Sequence, residues 1–248
     1  MKIKILQKLS QRAKIIMSKS TDPIHDIAHV KRVLHNAKKI MQDMDLSRRE
    51  RQSVELACLW HDVGRVITNR PSFVWMIFFD DSISAFMLWR ETSRLRLFSR
   101  TSGLAGRIIL CKSLGTGKIF AKLFLSKKTR RLLDIVKDAD TLDILHTERI
   151  KKAIKAIENN TMPIITYRLI TWYSTRLKTI KIKTNAAKKI LQEIITQLII
   201  WIQKVEISLW HANKLGIKWC QEMQTRLNKL QLLFNNFEIK NTISITTS

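Results

Sequence analysis

Six glycines and three prolines are all the strong turn formers in 248 positions, and that scarcity constrains the fold more than any other feature. A sandwich or barrel of short strands needs a tight turn every ten residues or so, and those turns draw on Gly and Pro. Apolar residues instead recur at helical spacing. Ile3, Ile5, Leu6, Leu9, Ala13 and Ile16 mark one amphipathic helix over 3–18. Ile27, Val30, Val33, Leu34, Ala37 and Ile40 mark a second, after a cap and turn at Thr21-Asp22-Pro23. A third opens at Ser47, where Glu50 three residues on completes a capping box, and it runs to a stop near Gly64. Further helices are expected over 80–98, 104–113 and 139–157, with breaks at Ser102-Gly103 and at Asn159-Asn160 before Pro163. Residues 114–118 read as a loop, helices fill most of 164–237, and 239–248 read as frayed. The expected class is all-α, as a helical domain over 1–150 and a basic helical extension over 151–248. Trp201, Leu209, Leu215 and Trp219 are expected to pack the extension on the core or on a partner.

Charge is the second constraint. Lys and Arg number 45 against 20 Asp and Glu, a formal net charge of +25. Residues 92–131 hold no acid, while Arg94, Arg96, Arg100, Arg107, Lys112, Lys118, Lys122, Lys127, Lys128, Arg130 and Arg131 all fall there. Such a chain suits anionic partners: phosphorylated small molecules, nucleic acid or an anionic surface. With 45% hydrophobic residues it is no disordered tail. Cys58, Cys111 and Cys220 are too few and too far apart for a disulfide framework or a cysteine zinc site, so reduced thiols in a cytoplasmic protein are expected. The longest apolar runs, such as 73–79, fall far short of the roughly 20 residues that span a bilayer. The start of the chain interleaves Lys with Ile and Leu and lacks the apolar core of a signal peptide. Gly115-Thr-Gly-Lys118 fails the spacing of a phosphate-binding loop.

The acids that do occur keep company with histidine. Four of the six histidines lie between 25 and 61, and His25 and His29 stand four apart on one helix face. His61-Asp62 closes the third helix after the apolar run Ala57-Cys58-Leu59-Trp60, and Asp138-Ala139-Asp140-Thr-Leu-Asp143 follows downstream. Mixed imidazole and carboxylate ligands suit a divalent ion of Mn, Mg, Fe, Ni or Zn rather than Cu(I). His146 and His211 have no such partners in sequence.

In this order and these helical settings the motifs resemble the HD superfamily of metal-dependent phosphohydrolases, in its small bacterial form. The likeness lies in His29 (HVKRV), His61-Asp62 (LACLWHDVGR) and Asp140 (DADTLD), and covers residues 20–150. It implies a helical bundle in which His29, His61, Asp62 and Asp140 ligate one metal ion. It implies catalytic roles for Asp62 and Asp138, with His25, Asp26 and Asp143 supporting the ligands and Arg32, Arg65 and Lys112 holding phosphate. The implied substrate is a nucleotide or another small phosphorylated molecule. Two-metal relatives carry further histidines after the His-Asp pair, whereas here Asp80-Asp81 and Cys111-Lys112-Ser113 stand, so one ion is expected rather than two. The alternative expectation, from charge alone, is a basic helical protein that binds nucleic acid or an anionic surface and whose metal site is degenerate or structural.

Overall fold

The structure, a computed structural model, describes residues 2–68, 76–113, 117–176 and 180–246. Among these every regular element is an α-helix. The chain divides into two compact units, Met1–Asp140 and Thr141–Ser248. The division falls ten residues before the boundary expected at 150, within a helix rather than at a loop.

In the first unit, α1 (Lys2–Met17), α2 (Ile27–Met41), α5 (Met76–Arg94) and α6 (Arg100–Lys112) surround α3 (Arg48–Trp60). α3 is central because its second half is apolar on every side: Val54, Leu56, Ala57, Cys58, Leu59 and Trp60 are all buried. Its start is the expected capping box, with Ser47 and Glu50 each accepting from the other's backbone. Its last turn is tied to α1 by Trp60, whose indole N–H donates to the Leu9 carbonyl at 3.1 Å. The chain then enters the short α4 (Val63–Thr68), which packs on α5. Gly64 permits that approach, since a Cβ there would stand 2.8 Å from the Asp80 carbonyl oxygen. α7 (Gly117–Phe124) lies on α6, and α8 (Lys127–Ile144) carries Asp140. The Asn36 amide of α2 donates to the Ala139 carbonyl of α8 at 3.2 Å, fixing α8 beside the start of the site.

The second unit holds α9 (Thr147–Glu158), α10 (Ile164–Ser174), α11 (Asn185–Ile202), α12 (Val205–Leu215) and α13 (Ile217–Thr246). Its polar interior is a Tyr167–His211 pair, the hydroxyl 2.8 Å from Nε2 and Nδ1 donating to the Ile207 carbonyl at 2.7 Å. Trp219 stacks on His211 with the ring planes 6° apart. Trp201 and Trp219 are buried as expected. Leu209 is exposed, because α12 turns that side of the helix to solvent.

Three boundaries differ from expectation for local reasons. Ser102-Gly103 does not break a helix, since Ser102 is the third residue of α6 and completes a capping box with Ser99. The helix expected over 139–157 is two, because His146 caps α9 by accepting from the Glu148 backbone. α13 continues through most of the segment expected to fray. Of the loop expected at 114–118, residues 114–116 lie outside the described residues, and Gly117 and Lys118 open α7. Part of the apolar run 73–79 also lies outside them.

Candidate metal centre

Each ligand-type side chain is fixed by a local backbone device. The Asp26 carboxylate caps α2 and accepts the backbone N–H of His29 at 2.9 Å, which sets the imidazole in the first turn. His61 stands at the C-cap of α3, where its ring Nδ1 lies 2.8 Å from the Cys58 carbonyl oxygen. A carbonyl only accepts, so Nδ1 carries a proton and Nε2 is the ring nitrogen turned to the cluster. Asp62 follows directly, and Asp140 comes from α8.

Nε2 of His29, Nε2 of His61 and an Asp140 carboxylate oxygen lie within 4.8 Å of one another, with both imidazoles fully buried. The imidazole nitrogens are 3.2 Å apart. Asp140 Oδ1 is 3.5 Å from His29 and 3.7 Å from His61. Asp62 Oδ2 adds a fourth atom, 3.1 Å from His29 and 3.4 Å from His61. An ion held about 2.1 Å from each ligand separates neighbouring ligands by about 3.0 Å in octahedral and about 3.4 Å in tetrahedral geometry. The observed separations fall around these values. Asp62 Oδ2 is buried and makes no hydrogen bond of good geometry, so its lone pairs are the kind a cation satisfies. Among the described residues, this is the one group whose His, Cys, Asp and Glu atoms converge in this way.

The surrounding charges form two clusters. Arg65 lies 2.7 Å from Asp80, 3.5 Å from Asp62 and 3.9 Å from Asp22. Lys112 lies 2.9 Å from Asp140 Oδ2 and 3.5 Å from Asp81 Oδ1. Asp140 is thus shared, one oxygen facing the imidazoles and the other the ammonium. Burial alone would raise the Asp62 carboxyl, but the charges of His61 and Arg65 override it and hold it well below the usual range. Asp140 is likewise held well below, with Lys112 outweighing the burial. Burial wins at Asp80, where the nearby charges of Asp62 and Asp81 add to it, and its carboxyl is pushed up to about 7. Burial also raises Asp81.

The remaining expected residues find these places. His25 Nδ1 is 3.0 Å from Asp22 and 3.2 Å from Arg65, with its ring edge-on to His29 at 5.5 Å between centroids. Arg32 is half-buried one turn after His29 on α2. Asp138 is fully buried on α8. At about 100° per residue it stands about 200° around the helix from Asp140, which supplies the clustered oxygen instead. Asp143 is fully buried and pairs with Arg149 at 3.2 Å. Arg65 and Lys112, expected on phosphate, are enclosed by carboxylates, because a buried cation this near acidic side chains takes them as partners. Asp22 belongs to the network although the sequence presents it as part of a turn. Its position three residues before His25 was the available signal.

Compared with family models, with curated proteins and with solved structures, the chain finds no match. No helix among the described residues is long and apolar enough to cross a membrane. Cys58, Cys111 and Cys220 are free thiols.

Proposed function

We propose that the chain is a metal-dependent phosphohydrolase of the HD type, acting on a nucleotide or another small phosphorylated molecule. One divalent ion of Mn, Mg, Fe, Ni or Zn would be held by His29, His61, Asp62 and Asp140. The observation that carries this reading is the convergence of His29, His61 and Asp140, with Asp62 beside both imidazoles, in a pocket short of positive charge. Asp22, Asp62, Asp80, Asp81 and Asp140 face Arg65 and Lys112 there.

Such an ion, when bound, acidifies water and polarises a phosphoryl oxygen. The chain's own groups do the rest. The Cys58 carbonyl keeps the His61 tautomer, and Asp26 keeps His29 in register. Lys112, held against the outer oxygen of Asp140, places a fixed positive charge beside the ligands, where it offsets charge on a phosphoryl group. The Asp140 side chain is 25% exposed, and in this reading substrate would approach from that side. In this reading Asp62 would also accept a proton from the attacking water.

The test is release of phosphate or pyrophosphate from a panel of nucleotides with Mn²⁺ present. His61→Ala and Asp62→Ala should each lower the rate by at least about 100-fold while far-UV circular dichroism is unchanged. A wild-type chain that hydrolyses none of the panel, or variants as active as wild type, would contradict the reading.

A further inference from the structure

An apolar helix face normally turns inward, but α7 turns its apolar face outward. In Gly117-Lys-Ile-Phe-Ala-Lys-Leu-Phe124 the buried position is Gly117, seated so closely on α6 that an added Cβ would stand 2.6 Å from the Cys111 carbonyl oxygen. Ile119 is 61% exposed, Leu123 70% and Phe124 44%. With Phe120, whose ring lies 5.9 Å from that of Phe124, they cover an arc of about 140° around the helix. Lys118 and Lys122, both exposed, flank that arc on one side. Phe98, 74% exposed, stands between exposed Arg96 and Arg100. Arg107 donates to the Phe124 carbonyl at 3.4 Å, which puts a further cation at the end of α7.

No acid occurs anywhere from 92 to 131. A groove on a partner protein would need to match an apolar ridge with acids set beside it. A bilayer rich in anionic phospholipid supplies both at once, since apolar side chains enter the acyl boundary while lysines stay at the headgroups. Exposed apolar side chains grouped inside a cationic field are the combination such a surface selects.

We propose that α7 and the cations around it form a docking surface for an anionic phospholipid bilayer. This surface is independent of the metal centre, and neither reading needs the other.

The experiment is co-sedimentation of the full chain with vesicles of phosphatidylcholine alone and of phosphatidylcholine with 30 mol% phosphatidylserine, at about 150 mM salt. Wild type should partition at least about tenfold more strongly into the anionic vesicles. Ile119→Ser/Leu123→Ser should lower that partitioning by about tenfold or more, and Lys118→Ser/Lys122→Ser by about tenfold. Val205→Ser/Leu209→Ser, on equally exposed residues of α12, should change it less than about twofold. All of these side chains are exposed, so thermal melts should match wild type. The proposal is overturned if the α7 variants bind vesicles as wild type does. It is also overturned if they lose a dimer or single-stranded oligonucleotide affinity while vesicle partitioning stays unchanged.

Discussion

Replacing Lys112 by Met removes one charge and keeps most of the side-chain volume, which isolates the role of the ammonium. Lys112 stands 2.9 Å from Asp140 and 3.5 Å from Asp81, with its side chain 15% exposed. At an effective dielectric of about 20 those attractions are about 6 and about 5 kcal/mol. Much of that offsets the burial of three charges, and breaking a buried pair from one side leaves a net loss of about 3–5 kcal/mol. The loss depends on pH in a defined direction. Burial already raises the Asp81 carboxyl while Lys112 opposes it, so Lys112→Met moves it higher still. A carboxyl raised in the folded state binds a proton that the unfolded chain releases, so its ionisation lowers stability as pH rises. The deficit of the variant should therefore be largest above neutrality and shrink toward pH 5. Urea unfolding in the presence of a chelator reads this directly: with m near 3 kcal/mol/M the midpoint should fall by about 1–1.7 M at pH 7.5. A loss below about 1 kcal/mol, or a deficit that grows on acidification, would refute the reasoning.

Asp80→Asn should remove a pH dependence. The wild-type carboxyl titrates near 7 when folded against 3.8 as the ordinary value, so wild-type stability should decline between about pH 4 and 7 and level off above. The full effect is about 4 kcal/mol, and urea midpoints at pH 5, 6, 7 and 8 should fall more steeply in wild type than in the variant, which keeps the contribution of Asp81. Gly64→Ala should lose about 1–3 kcal/mol, since its Cβ meets the Asp80 carbonyl at 2.8 Å and Ser84 Oγ at 3.0 Å. Gly103→Ala, with nothing within 4 Å of the new Cβ, should gain up to about 1 kcal/mol. Paired thermal melts of the two variants check both signs.

The helices were legible wherever a local rule decided them. Ser47 and Glu50 announce the start of α3. The rule failed where the cap was unusual: His146 is a rare N-cap, so the break before α9 carried no recognisable signal. Ser102-Gly103 resembled a break because the pairing of Ser99 with Ser102 is a weaker pattern than Ser with Glu. At the site, the resemblance pointed to His29, His61, Asp62 and Asp140; the structure clusters His29, His61 and Asp140, with Asp62 beside both imidazoles. The partners of Arg65 and Lys112 were not, because they join α4 to the turn before α2 and to α5, and α6 to α5 and α8. Such tertiary pairings leave no periodic trace. The exposed face of α7 was hidden for the opposite reason: its pattern looks like any amphipathic helix, and only packing shows which face turned outward.

The account rests on four side chains holding one divalent ion, so the direct measurement is metal stoichiometry. The purified chain, equilibrated with Mn²⁺ and freed of excess by gel filtration, should retain one ion per chain by elemental analysis. His61→Ala and Asp140→Asn should each retain far less at the same concentration. A wild-type chain that retains no more Mn²⁺ than those variants would contradict the account.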